Sequence, residues 1–295
     1  MCELLGMDFN LPVNPRVSFI GFQQRGEENS DGWGLAWYPD ESAQVIKEQL
    51  TVGKSQISRF LVNYSELQSS IFIGHVRKAS ISGLAYKNTH PFIRELNGKD
   101  YVFAHNGTLR NYKRLELGRF KPIGTTDSEH CFCYLLEKIA ERNVTTWTKT
   151  DFMWLADSLS AINTAGKGTL NCIFSEGTHL FCYFDKIGYK GLYFVKRQQP
   201  FDTIQLLDED WNINLGSQKP PDQKGIIVAT KPLTDEEWEP FIPGELLVIK
   251  NGEIIYSSKR ENSQRQVIIE KRSFVSFKVK KTKIENSDST RHLNE

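Results

Sequence analysis

The chain is poor in cysteine, in net charge and in long apolar stretches, and each shortage removes a class of function. Five cysteines occur among 295 residues, at Cys2, Cys131, Cys133, Cys172 and Cys182. Their number is odd and their spacing fits neither a disulfide framework nor a metal site, so they read as reduced thiols of a cytoplasmic protein. Lys plus Arg total 37 against 36 for Asp plus Glu. So even a balance leaves no electrostatic footprint for nucleic acid or an anionic membrane. No apolar run reaches the length of about 18 residues that a membrane-spanning helix needs. The first residues lack the charged segment and apolar core of a secretory signal. Internal repeats and a linker rich in Pro, Gly or Ser are also missing, which favours one domain.

What is present alternates helices and strands, then turns to strands alone. RVSFIGFQQR (16–25) has the spacing of a short helix ending at Gly26. GWGLAWY (32–38) and QVIKEQL (44–50) read as strands. SSIFIGHVR (69–77) and DYVFAHNG (100–107) are apolar and β-branched, and read as buried strands. DSEHCFCYLLEKIAER (127–142) has helical periodicity, with acids at its start and Lys and Arg near its end. DFMWLADSLSAI (151–162) reads as a second helix. From about residue 169 come the short strands TLNCIFSEG, THLFCYFD, GLYFVKR, GIIVATKPL, ELLVIKNGEII and QVIIEKR, with Asn251-Gly252 as a hairpin turn. This order predicts an α+β fold, large antiparallel sheets covered by helices. The polar segment 284–295 reads as a loose tail, leaving a domain over residues 1–283.

Cys2 directly follows Met1. Once Met1 is removed, Cys2 carries a thiol and a free α-amine, a nucleophile with its own base. An unperturbed α-amine ionises at about pH 7.7–8.0, so at neutral pH a useful fraction can take the thiol proton and return it to a leaving amine. The target would be an amide or thioester carbonyl, whose oxyanion needs donors. Asn106 and Gly107 can supply two, a side-chain amide and a backbone N–H; the same dipeptide also reads as a simple turn. Arg77, closing its strand, can bind a carboxylate through paired hydrogen bonds, or serve as a surface ion-pair partner. Asp127 can bind an ammonium, or cap the long helix. An Arg for a carboxylate and an Asp for an ammonium together describe an α-amino acid pocket. His75, His90 and His105 read as packed, hydrogen-bonded side chains without metal spacing. Cys131 and Cys133, two apart on a helix, read as packing residues.

Cys2 behind Met1, HVRKAS (75–80), AHNGTL (104–109) and TTDSEH (125–130), in this order, resemble the class II glutamine amidotransferases among the N-terminal nucleophile hydrolases. RGEENSDGWGLAWY (25–38) resembles that family's arginine-glycine segment, and NTHPF (88–92), VATKPLTDEEW (228–238) and PGEL (243–246) look closer to its stand-alone YafJ-like branch. The resemblance implies a four-layer αββα sandwich. It implies Cys2 as nucleophile with its α-amine as base, Asn106 and Gly107 as oxyanion hole, and Arg77, Asp127 and Ser80 as substrate contacts. It calls for no metal or organic cofactor. The family pattern has Thr and Trp flanking the arginine, where this chain has Val76 and Lys78. The expected activity is hydrolysis of the glutamine side-chain amide through a γ-glutamyl thioester, with ammonia released to water or to a partner protein. The alternatives are a γ-glutamyl amidase acting on a peptide or thiol conjugate, and a non-catalytic regulatory subunit on the same fold.

Overall fold

The computed structural model describes residues 2–24, 29–78, 83–201, 203–207, 212–214 (backbone only) and 220–260. Met1, Arg25-Gly26, Ser80, the expected strand QVIIEKR, the polar tail and the expected domain limit at residue 283 lie outside the described residues. The elements are β1 (Glu3–Val13), α1 (Arg16–Gln24), β2 (Trp33–Trp37), β3 (Gln44–Glu48), α2 (Gln56–Asn63), β4 (Ser69–Val76), β5 (Phe92–Leu96), β6 (Lys99–Thr108), α3 (Asp127–Glu141), α4 (Lys149–Ala165), β7 (Thr169–Ser175), β8 (Leu180–Tyr183), β9 (Tyr193–Arg197), β10 (Thr203–Gln205), β11 (Asn212–Asn214), β12 (Gly225–Ala229), β13 (Glu239–Pro240), β14 (Leu246–Lys250) and β15 (Glu253–Ser257).

Among the described residues, seven strands form one sheet in the order β13-β9-β12-β1-β4-β2-β3, and six form a second in the order β15-β14-β8-β7-β6-β5. The pairings are antiparallel. Side-chain alternation sorts the core into layers. Leu4, Ile71, Ile73, Val102, Ala104, Ile173 and Val228 pack between the sheets. Leu5, Met7, Phe72 and Ile227 turn the other way, against Phe19 and Phe22 of α1 and Leu61 of α2. Phe103, Phe174 and Phe181 cover the outer face of the second sheet, under Phe132 and Leu136 of α3 and Leu155 and Leu159 of α4. The result is the expected αββα sandwich. Among the described residues no helix is long and apolar enough to cross a membrane.

The expected helices and strands within the described residues are present, with ends moved by a few residues; α4 begins two residues earlier and ends three later than its apolar pattern. Thr148 caps it, with Asp151 returning a bond to the Thr148 backbone. The sequence reading assigns no element to residues 3–13, 56–63 or 92–96, which are β1, α2 and β5. β1 is central in its sheet, paired with β12 on one side and β4 on the other. It reads as near-continuous apolar sequence because both of its faces are buried.

One polar side chain in β1 sits among the apolar ones. Asp8 is 1% exposed, and its Oδ1 accepts the Gly252 N–H at 2.6 Å, tying β1 to the β14–β15 hairpin. Burial pushes its carboxyl up from 3.8 to about 7, against the Gly252 hydrogen bond, which favours the charged form. Between these values the unfolded chain ionises Asp8 and the folded chain does not, so Asp8 makes stability fall as pH rises through that window. Asp8→Asn removes the loss. Thermal denaturation should place the variant's Tm higher relative to wild type at pH 8 than at pH 4, by at least about 4 °C, roughly the effect of 1–2 kcal/mol in a domain of this size. A pH-independent difference would contradict this account.

Candidate active site

The register of β1 against β4 sets where Cys2 falls. Glu3 pairs with Val76 and Leu4 with His75, so Cys2, one residue before the strand, arrives opposite the chain that leaves β4. The Lys78 N–H donates to Cys2 Sγ at 3.2 Å, and the thiol donates to the Lys78 carbonyl at 3.3 Å. The Arg77 backbone is held from the other side: its N–H donates to the Gly32 carbonyl at 2.7 Å, and its carbonyl accepts the Asp31 N–H at 3.0 Å. Arg77 is 4% exposed, so it does not lie at the surface, and a guanidinium N–H reaches the Asp31 carbonyl at 3.5 Å.

Cys2 is partly buried. Burial pushes its thiol above the ordinary value; the Lys78 backbone hydrogen bond and the Arg77 charge act in the opposite direction. The balance favours the neutral thiol, which then needs a base before it can attack.

The Asn-Gly dipeptide is not a turn. Asn106 and Gly107 lie inside β6, opposite Asn171 and Leu170 of β7. Val102 and Ala104 point between the sheets, and Asn106 follows them at the same two-residue period. Asn106 is buried. Gly107 is required sterically, because a Cβ there would lie 2.2 Å from the Thr169 carbonyl oxygen. His105 has both nitrogens engaged: Nε2 with the Thr169 carbonyl at 3.1 Å and Nδ1 with the Ser128 hydroxyl at 2.9 Å. A carbonyl only accepts, so Nε2 carries the proton and Nδ1 accepts from Ser128. Burial lowers the His105 pKa, against the opposing effect of Asp127.

Asp127 opens α3 but does not cap it. The cap is Thr126, whose hydroxyl accepts the Glu129 N–H at 3.1 Å. The Asp127 carboxylate instead accepts the Leu109 N–H at 2.6 Å, fastening the start of α3 to the end of β6. Asp127 therefore sits beside the Asn106–Gly107 strand end.

The sequence reading missed the loop that closes this end of the sandwich. Asn171, the partner of Asn106, donates to the Tyr189 carbonyl at 2.8 Å and accepts the Asp185 N–H at 2.9 Å. Buried Asp185 in turn accepts the Leu170 and Ile187 N–H groups. Partial burial of the Tyr189 phenol on this loop raises its pKa. A polar Asn in the apolar run TLNCIF was the available signal. His75 and His90 are packed side chains, as expected. Their rings lie tilted against each other with centroids 4.2 Å apart, both buried. Burial drives both pKa values down, that of His75 to about 3, so both are neutral. Among the described residues no three His, Cys, Asp or Glu side chains group as metal ligands.

The family model described as glutamine amidotransferases class-II matches residues 1–273. A Methanocaldococcus jannaschii protein of uncharacterized role is 48% identical over 260 residues, covering 88% of this chain and 72% of its own. YafJ of Escherichia coli, which carries a provisional glutamine amidotransferase name, is 36% identical over 257 residues, covering 86% of this chain and 99% of its own. The crystal structure of a predicted glutamine amidotransferase from Pseudomonas aeruginosa superimposes with a TM-score of 0.64 at 27% identity, covering 86% of this chain and all of that one. Glutamine phosphoribosylpyrophosphate amidotransferase from Bacillus subtilis shares the fold, with a TM-score of 0.59 at 19% identity, over 87% of this chain and 49% of that one.

Gly107→Ala should force β6 and β7 apart at the Thr169 carbonyl. The expected cost is about 2–3 kcal/mol or more, in the upper range for overpacking, read as a lower midpoint in chemical denaturation. A midpoint equal to wild type would show that the strand pair can yield.

Proposed function

Since this chain belongs to the class II glutamine amidotransferases, we propose that it hydrolyses the side-chain amide of glutamine with Cys2 as its N-terminal nucleophile. Removal of Met1 frees the Cys2 α-amine. That amine takes the thiol proton, and Sγ attacks the γ-carbonyl carbon. The Asn106 side-chain amide and the Gly107 N–H receive the oxyanion, a term worth roughly 3–4 kcal/mol per donor in related chemistry. The tetrahedral intermediate collapses as the amine returns the proton to the nitrogen, which leaves as ammonia. Water then attacks the γ-glutamyl thioester, breaking the C–S bond to give glutamate and restoring the thiol. Arg77 pairs with the substrate α-carboxylate and Asp127 with its α-ammonium. Ser80 belongs to the same contact set by its place in HVRKAS. Ammonia passes to water or to a separate accepting protein. The free thiols suit a cytoplasmic setting.

The observation that carries this reading is the seating of the Cys2 thiol against the Lys78 backbone, beside buried Arg77. A thiol raised in pKa by burial is idle without a base, and the only group its own residue can offer is the α-amine. The positions of Asn106 on the facing sheet and of Asp127 beside its end support the remaining assignments.

Three measurements test the reading. Intact mass should show loss of Met1. An electrophilic glutamine analogue should add once, at Cys2, and fail to add to Cys2→Ala; labelling of another cysteine would sink the mechanism. Asp127→Asn and Arg77→Gln should each lower kcat/KM for glutamine by about 30- to 100-fold, the equivalent of one charged hydrogen bond, while Tm falls far less in proportion. Assays with γ-glutamyl peptides alongside glutamine decide between the amidohydrolase and the γ-glutamyl amidase.

A further inference from the structure

The two side chains assigned to the substrate's charged ends stand on different parts of the chain. Arg77 follows β4, and Asp127 begins α3 some fifty residues later. Their spacing must match that of a carboxylate and an ammonium on one carbon atom. Sheet pairing fixes Arg77 from Gly32 and Asp31, but the segment leading into Asp127, residues 122–126, belongs to no helix or strand. Something has to hold it.

Asn88 is placed to do so. It is 2% exposed, and its carboxamide bridges two loops. Nδ2 donates to the Gly83 carbonyl at 3.2 Å, on the described part of the chain returning from Arg77, and to Thr125 Oγ1 at 3.2 Å. Oδ1 accepts the Thr125 N–H at 2.9 Å, two residues before Asp127. The other side of the same segment is gripped by Glu129, itself buried and paired with Arg94 of β5 at 2.5 Å. Its carboxylate accepts the N–H groups of Ile123 at 3.1 Å and Gly124 at 2.6 Å. The loops meet so closely that a Cβ on Gly124 would lie 2.5 Å from Asn88 Oδ1 and 2.7 Å from the Lys87 carbonyl oxygen.

We propose that Asn88 is a positioning residue: its carboxamide ties the loop leading into Asp127 to Gly83, and so sets where Asp127 stands relative to Arg77, itself fixed by sheet pairing. The proposal rests on the roles given to Arg77 and Asp127 above. Asn88 touches neither substrate pole, and it acts through Asp127. Loss of the latch therefore weakens capture of an α-amino acid and leaves the thiol chemistry in place.

The experiment is steady-state kinetics on full-length protein with glutamine. Asn88→Ala should raise KM about tenfold or more while kcat stays within about threefold, the signature of lost uniform binding. Thr125→Ala, at an exposed position, removes one latch bond without emptying a buried site and should move KM the same way by a smaller factor. It decides the matter if Asn88→Ala does not fold. In an Asp127→Asn background, Asn88→Ala should cost less than about threefold in kcat/KM, because residues acting through one another are not additive. A fall in kcat at constant KM, full additivity with Asp127→Asn, or an unchanged KM in both single variants overturns the latch. Cys2→Ala, assayed in parallel, keeps the two claims apart: turnover surviving in that variant overturns the parent mechanism, whereas loss of turnover there combined with an unaltered KM in Asn88→Ala overturns the latch alone.

Discussion

The structure depends on the antiparallel pairing of β1 with β4. A strand has a side-chain period of two, so a shift of one residue in this register would turn Leu4 outward and Leu5 inward and misplace every residue of the pair. The observed register puts Leu4, Gly6 and Asp8 on the face toward the second sheet and sets Cys2 against the Lys78 backbone. Few residues at a chain end are so defined, because ends have neighbours on one side only. Here the neighbouring strand supplies the missing partners, and β12 closes the opposite flank.

Burial then sets the protonation states around that sulfur. The thiol is raised, and His75, His90 and His105 are lowered, all mainly by loss of water. Charges are retained where the geometry pairs them, as in Arg94 with Glu129 and Arg197 with Glu236.

Much of this was legible in the sequence, for identifiable reasons. Strands with one polar end, such as SSIFIGHVR and DYVFAHNG, announced themselves by composition, and so did the charge gradient of α3. The ordered set of Cys2, Arg77, Asn106–Gly107 and Asp127 pointed to the family before any coordinates. β1 was hidden because both of its faces are buried, and α2 because its eight residues carry Ile57 and Phe60 in exposed positions, which blurs its apolar stripe. The turn alternative for Asn106–Gly107 and the cap alternative for Asp127 failed for tertiary reasons: β7 lies alongside the first, and Thr126 takes the place of the second. The Asn88 bonds join loops distant in the chain, and a single sequence carries no signal for such pairs; the Asn171–Asp185–Tyr189 brace left only the polar Asn in TLNCIF as a sign.

The double flanking of β1 also has a consequence in time. Its partner β4 is made within the next 76 residues, but β12 spans Gly225–Ala229. During synthesis β1 is made well before β12, so it cannot be enclosed on both flanks until Gly225–Ala229 has followed. Contacts so far apart in sequence form late and slowly. Until then one flank of β1 stays open, and Cys2 gains its full surroundings only once β12 has been laid beside that strand.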